Sequence, residues 1–273
     1  MIRKSMLVLA ALLVAPGVAS AAVTVKGSDT MVILAQRWAE EYMKKNPGTK
    51  IQVTGGGSGT GISALINGTT DIASASRPMK DDEKGTLRNR FNTPGHETVV
   101  AKDGIAIYVN ESNPIAELTV EQLRTIYQGD VANWKQVGGP DAPIVLYSRE
   151  NSSGTYVFFK EHVLANGDYS PRAQTLPGTA AVVNAVAKER NGIGYGGAAY
   201  AKGVKEVKVK ASPAAPALAP TAEGVKSGTY PLSRDLYLYT RSQPSGEAKG
   251  FIDYCLSPEG QAIVAKVGYY PIK

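Results

Sequence analysis

Three times this chain passes from a short strand-forming stretch into a cluster of Gly, Ser and Thr and then into a helical pattern. The clusters are Gly27-Ser28-Asp29-Thr30, Gly55-Gly56-Gly57-Ser58-Gly59-Thr60-Gly61 and Arg149-Glu150-Asn151-Ser152-Ser153-Gly154-Thr155. Strand, tight turn and helix in repetition predict an α/β fold. They also predict the chemistry of the turns. The first turn of a helix has backbone N–H groups without an internal partner, and the helix dipole adds partial positive charge there. Ser and Thr hydroxyls add donors, and Gly lets the backbone approach closely. Such a site holds an anion, and in open α/β sheets it lies beyond the carboxyl ends of the strands. Ser, Thr and Asp also cap helices with no ligand present, so one cluster alone reads as capping. Three clusters, one led by Arg149 with its planar fork of donors, read as a cleft for a small oxyanion.

The remaining pattern fits the same fold class. Strands are predicted over residues 23–26, 50–54, 71–76, 144–148, 193–195 and 236–240, with a long apolar, β-rich stretch over 99–110. Alternation of Lys and Val within 204–210 predicts a strand with one solvated face. Met31, Leu34, Ala35, Trp38 and Tyr42 recur at helical spacing and mark the buried face of a first helix, ended by Asn46-Pro47-Gly48. Ile62, Leu65 and Ile66 belong to a short second helix. Thr119-Val120-Glu121-Gln122 has the form of a capping box for a helix ending near Gly129. Further helices are expected after Thr155 to about His162, over 179–190, after Ser245 with Phe251, Ile252, Cys255 and Leu256 facing inward, and from a Ser257-Pro258-Glu259 cap to Gly268. Residues 211–220, rich in Pro and Ala, read as a loop.

With 273 residues, 43% hydrophobic and 20% charged, the chain can build one large domain or two modest ones and is not generally disordered. Arg3 and Lys4, an apolar run over 6–14 too short to span a bilayer, and Ala19-Ser20-Ala21 predict a cleavable signal peptide over residues 1–21. Cys255 is the only cysteine, so no internal disulfide supports the fold, and its apolar helical position predicts a buried thiol. The formal charge of +6 comes from scattered basic residues without interleaved aromatics, which argues against nucleic acid as a partner.

Enzyme patterns fit poorly. Ile62 stands where a P-loop requires Lys after Gly61, and Thr60 stands where the hydrolase nucleophile elbow requires its last Gly. The dinucleotide fingerprint is met only loosely, by Gly59, Gly61 and Ala64. His96, in a Pro and Gly turn, and His162, near a helix end, are thin candidates for a general base, and no Cys/His cluster suggests zinc. No catalytic residue, metal or cofactor is expected.

Several motifs occur in an order that resembles the periplasmic phosphate-binding proteins of ABC-type importers. They are Gly27-Ser28-Asp29-Thr30-Met31, Gly57-Ser58-Gly59-Thr60-Gly61, Asp71-Ile72-Ala73-Ser74-Ala75-Ser76-Arg77-Pro78, and Arg149 with Ser153-Gly154-Thr155. Ile193-Gly194-Tyr195, Tyr230-Pro231-Leu232-Ser233-Arg234 and Ser257-Pro258-Glu259-Gly260-Gln261 extend the likeness over nearly all of the chain after the leader. The resemblance implies a type II periplasmic binding protein fold, with a ligand cleft between two α/β lobes joined by two crossing strands, by analogy 99–110 and 236–240. Lobe I is then 22–104 with 236–273, and lobe II is 105–235. The lobes close on the ligand by a hinge motion.

The resemblance further implies phosphate contacts from Ser28, Asp29, Thr30, Ser58, Ser76, Arg149, Ser153, Gly154 and Thr155, with Arg77 as an additional contact. Inorganic phosphate is the implied ligand, an ABC-type permease in the inner membrane the implied partner, and the periplasm the implied location of a non-enzymatic monomer. Some family members carry an acid where this chain has Ser76, and a carboxylate there accepts the proton that distinguishes hydrogen phosphate from sulfate. In this chain Asp29 is the expected acceptor, with helix N-capping as its other reading. Asp71, at the opening of its strand, is expected to point to the far end of the sheet. Open alternatives are another oxyanion such as sulfate or molybdate, a secreted phosphate-ester hydrolase, and a surface scaffold on the same fold.

Overall fold

Residues 22–272 are described by a computed structural model, and the leader expected over 1–21 lies outside the described residues. Strand β1 (Val23–Gly27) runs into helix α1 (Val32–Lys45). Met31, Leu34, Ala35 and Trp38 are buried as their spacing predicts, and the Trp38 indole N–H donates to Gly260 O at 2.8 Å. Strand β2 (Ile51–Thr54) leads to α2 (Ser58–Asn67), which Gly68 ends in the left-handed conformation. Strand β3 (Ile72–Ala75) is followed by α3 (Asp81–Phe91). Hydrophobic spacing does not reveal α3, because Leu87 is its one buried residue. It rests on charge instead, with Asp81, Asp82 and Glu83 in its first turn and Arg88 and Arg90 in its last.

Strand β4 (His96–Val109) is the longest strand described. His96 opens it, paired with Thr240, rather than lying in a turn. Then come β5 (Glu117–Thr119) and α4 (Val120–Gln128). The expected capping box is present: Thr119 Oγ1 accepts from Gln122 N at 3.0 Å and Gln122 Oε1 from Thr119 N at 2.8 Å. The second lobe continues through β6 (Val145–Arg149), α5 (Gly154–His162), β7 (Gln174–Leu176), α6 (Gly178–Lys188) and β8 (Gly192–Gly197). In β9 (Lys205–Lys210), Val207 and Val209 are buried while Glu206 and Lys208 are exposed, as the alternation requires. The chain ends with α7 (Ala222–Ser227), β10 (Ser233–Thr240), α8 (Gly246–Leu256) and α9 (Pro258–Val267).

The strands join in the order β2-β1-β3-β10-β4-β8-β6-β7, with β9 pairing β4 and β5. Strands β1, β2 and β3 are mutually parallel, so their carboxyl ends share one edge. Strands β6, β7 and β8 are parallel in the other half. Strand β4 belongs to both. Its first part, to Gly104, pairs antiparallel with β10, and from Ile105 it pairs with β8.

Packing follows the same division. Val100 and Ala101 of β4 lie in a core with Trp38, Phe251 and Val264, whereas Ile105, Ile107 and Val109 lie in another with Trp134, Phe159 and Tyr195. The chain entering β10 crosses the same way: Tyr230 and Leu232 pack in the second core, Leu236 and Leu238 in the first. Two smaller cores cover the opposite sheet faces, one around Ile62, Leu87 and Tyr239, the other around Tyr108, Val182 and Val186. Both sheets therefore carry helices on two faces, which is a two-lobed α/β fold with two crossing strands. Cys255 is fully buried, and burial pushes its thiol well above the ordinary value. Among the described residues no helix is long and apolar enough to cross a membrane.

Candidate functional site at the lobe interface

Parallel pairing places the ends of β1, β2 and β3 at one edge, and the three first-lobe clusters follow from it. Ser28 comes after β1, Ser58 opens α2 after β2, and Ser76 follows β3. Gly27 adopts φ +147°, and a Cβ there would run into Ser74 O, so the close approach of β1 to β3 needs glycine. Neither α1 nor α2 has a side-chain cap. The second lobe contributes Arg149 at the carboxyl end of β6 and the start of α5. Ser153 caps α5 by accepting from Thr155 N and Tyr156 N at 3.2 and 3.3 Å, which leaves its own hydroxyl proton to donate.

The two edges face each other and touch. Thr30 Oγ1 and Thr155 Oγ1 are 2.9 Å apart. Gly59 N–H donates to Ser152 O at 2.8 Å. Ser58 Oγ lies 3.3 Å from Ser76 Oγ and accepts from Ser76 N at 3.0 Å. Gly154 sits directly over that pair: a Cβ built on it would collide with Ser58 Oγ and lie 2.7 Å from Ser76 Oγ. Ser28, Thr30, Ser58, Ser76, Arg149, Ser153 and Thr155 are all buried. Three buried donors on this rim, Ser28 Oγ, Arg77 Nε and Arg149 Nε, make no hydrogen bond, although Arg149 Nε lies 3.4 Å from Glu150 Oε2. Buried polar groups are ordinarily satisfied, so orphaned donors gathered at one interface mark a place for an acceptor-rich ligand.

Asp29 does not cap α1. Its Oδ1 accepts from Gly56 N at 2.7 Å and its Oδ2 from Arg149 Nη2 at 2.8 Å, so it joins two first-lobe clusters to the second lobe. Arg149 also donates from Nη1 to Thr179 Oγ1 at 3.0 Å. Arg77 turns its fork to Glu83, at 2.8 and 2.6 Å, and to Pro78 O, so both of its terminal nitrogens serve the start of α3. Asp71 accepts from Thr24 N and Thr24 Oγ1 at the opposite edge of the sheet.

The contact residues expected from the sequence omit a third buried arginine. Arg234, at the start of β10, donates from Nε and Nη2 to Asp103 Oδ2 at 3.0 and 2.7 Å. Nη1 donates to Ser76 O at 3.0 Å, and Nη2 reaches Thr155 Oγ1 at 3.0 Å and Thr30 Oγ1 at 3.4 Å. Burial pushes the Asp103 carboxyl above its ordinary range, and Arg234 works against that. Asp103 was legible as a lone acid within an apolar strand stretch, a position that demands a partner. The partner itself lies 131 residues away. Each of the three arginines thus has a carboxylate: Arg149 with Asp29 and, at 3.4 Å, Glu150, Arg77 with Glu83, Arg234 with Asp103. Charge is balanced locally, so hydroxyl and N–H donors rather than excess positive charge are what this cleft presents to an anion.

Neither histidine lies here. His162 stacks on Phe158 within α5, and His96 opens β4. Among the described residues no group of His, Cys, Asp and Glu could hold a metal ion.

The PBP superfamily domain model matches residues 14–259. A Pseudomonas aeruginosa phosphate-binding protein PstS is 37% identical over 264 residues, covering 90% of this chain and 81% of that protein. This chain belongs to that family. A PstS from Staphylococcus saprophyticus is also 37% identical, over 84% of this chain and 72% of its own length. A Clostridium perfringens protein whose crystal structure holds bound phosphate superposes with a TM-score of 0.84 at 33% identity, covering 93% of this chain and all of that one. An ABC-type phosphate transport receptor from Vibrio cholerae gives 0.74 at 32% identity, over 91% and 99% of the two chains. Those likenesses extend over both lobes, so the family's type II two-lobed architecture is that of this chain.

Proposed function

We propose that this protein captures inorganic phosphate between its lobes and delivers it to an ABC-type permease, acting in the periplasm as a non-enzymatic monomer after removal of its leader. In this reading, lobe I is residues 22–104 with 236–273 and lobe II is 105–235. Ser28, Thr30, Ser58, Ser76, Arg149, Ser153, Gly154 and Thr155 form the binding site, with Asp29 as acceptor and Arg77 at its rim. The observation that carries the reading is the meeting of these donors at one buried interface, with Ser28 Oγ and Arg149 Nε making no hydrogen bond there. The phosphate named for the relatives supports the choice of anion.

Asp29 supplies selectivity. Each of its carboxylate oxygens accepts one hydrogen bond and retains a lone pair for the proton of hydrogen phosphate. Sulfate at neutral pH has no such proton and meets repulsion instead. Titration calorimetry with phosphate, sulfate and molybdate tests the assignment: phosphate binds most tightly, and tight sulfate binding without phosphate binding overturns it. Asp29→Asn lowers the phosphate-to-sulfate affinity ratio by about tenfold, roughly one charged hydrogen bond. An unchanged ratio would remove Asp29 from this role.

Gly154→Ala tests the closed geometry. The added methyl occupies the space over Ser58 Oγ and Ser76 Oγ without straining a positive-φ backbone. Phosphate affinity falls by about tenfold or more, while the free energy of unfolding falls by no more than about 1–3 kcal/mol. Equal affinity in a binding assay would place the anion elsewhere.

A further inference from the structure

Arg234 stands outside the Gly, Ser and Thr clusters, yet it touches members of both lobes. It sits on a crossing strand, its fork braced by Asp103 of the other crossing strand. Its side chain is 3% exposed and that of Asp103 is 1% exposed. Nη1 holds Ser76 O, while Nη2 lies against the hydroxyls of Thr30 and Thr155, one from each lobe. Phe158 covers the guanidinium, its ring centroid 5.7 Å from Cζ.

The direction of these bonds matters. A guanidinium has only donors, so a threonine oxygen facing it must accept. Thr30 Oγ1 and Thr155 Oγ1 are also within hydrogen-bond reach of each other, so one hydroxyl proton can run between them. The other proton then has neither the guanidinium nor its neighbour as acceptor. Donation from a charged group also polarises the hydroxyl that accepts it.

We infer that Arg234, anchored by Asp103, is a positioning residue for anion capture: it turns the oxygens of Thr30 and Thr155 toward itself, so that the hydroxyl proton not shared between them is left to donate to the ligand. This rests on the reading of the cleft as a phosphate site.

A double-mutant cycle on the full mature chain, read by titration calorimetry with inorganic phosphate, tests it. The pair variant Asp103→Asn/Arg234→Gln replaces both charges together and avoids a buried unpaired ion. It weakens phosphate binding by about 30-fold when Thr155 is present. In the Thr155→Val background the same pair change costs only about threefold, because one of the hydroxyls it orients is gone. Equal losses in both backgrounds would make the pair merely structural and overturn the inference. If the pair variant does not fold, Arg234→Lys carries the cycle, since it keeps a cation for Asp103 but loses the fork, and the same inequality is expected. The unaltered protein is titrated first. Absence of phosphate binding there refutes the proposed function, whereas binding by the unaltered protein with an additive cycle refutes only the role of Arg234.

Discussion

Arg149→Lys weakens phosphate binding by about 30- to 100-fold, the equivalent of about 2–3 kcal/mol, while leaving the fold intact. The arginine is almost fully buried and divides its donors among three directions. Nη2 holds Asp29, Nη1 holds Thr179, and Nε makes no hydrogen bond, its nearest acid being Glu150 at 3.4 Å. A lysine ammonium can keep the Asp29 pair from a longer distance, but it is a point charge and cannot serve Thr179 and a ligand oxygen from a fixed plane. Most of the loss therefore appears in binding. Arg149→Ala has a larger effect, because it removes the donor and also leaves Asp29 with no cation between it and the anion. Calorimetry with phosphate, alongside urea unfolding of each variant, separates the two contributions. An affinity for the lysine variant within about threefold of the unaltered protein would mean that Arg149 serves closure of the lobes and not the ligand.

Local signals made much of the fold legible. The Thr119 to Gln122 box, the Ser257 cap and the buried face of α1 each depend on residues within one or two turns, and all three take the predicted form. The alternation in β9 worked for the same reason. Failures came where stabilisation is not hydrophobic. Helix α3 buries almost nothing, so apolar spacing is silent about it, although the acids at its start and bases at its end were a readable dipole pattern. His96 looked like part of a turn because Pro94 and Gly95 precede it, but pairing with β10 extends the strand back to it.

The site divides along a similar line. Clusters at strand ends can be read because a turn into a helix is a local event, and the structure brings Ser28, Ser58 and Ser76 together with Arg149, Ser153 and Thr155. What the clusters bond to depends on which strands become neighbours. Asp29 is expected from the sequence as the ligand's acceptor, with capping as its other reading, and its bonds to Gly56 and Arg149 reach 27 and 120 positions away. The resemblance implies Arg77 as an additional contact, and the terminal nitrogens of its fork bond Glu83, six positions on. Arg234 closes the Tyr230 to Arg234 motif, but that motif does not reveal its role, since its partners Asp103, Ser76, Thr30 and Thr155 come from four other parts of the chain.

Arg234→Gln destabilises the protein by about 3–5 kcal/mol at about pH 8, and the deficit shrinks on acidification. The first part follows from burial. Asp103 is fully enclosed, and its Oδ1 already lacks a hydrogen-bond partner, so Arg234 is what offsets the cost of its charge. The second part follows from the direction of its titration. Burial raises the Asp103 carboxyl, and the Arg234 charge and hydrogen bonds are the main influences that lower it. Without Arg234 the folded-state pKa moves further above the unfolded value. A raised carboxyl contributes stability that is fully present below the unfolded pKa and is lost as pH rises through the folded one. Urea unfolding of Arg234→Gln at about pH 8 and about pH 5 should therefore show the smaller deficit in acid. Asp103→Asn/Arg234→Gln removes the ionisable group, so its deficit should be small and nearly independent of pH over the same interval. A deficit for Arg234→Gln that is the same at both pH values would show that Asp103 is not the buried charge responsible, and that the arginine stabilises the crossing strands by packing against Phe158 and Ser76 instead.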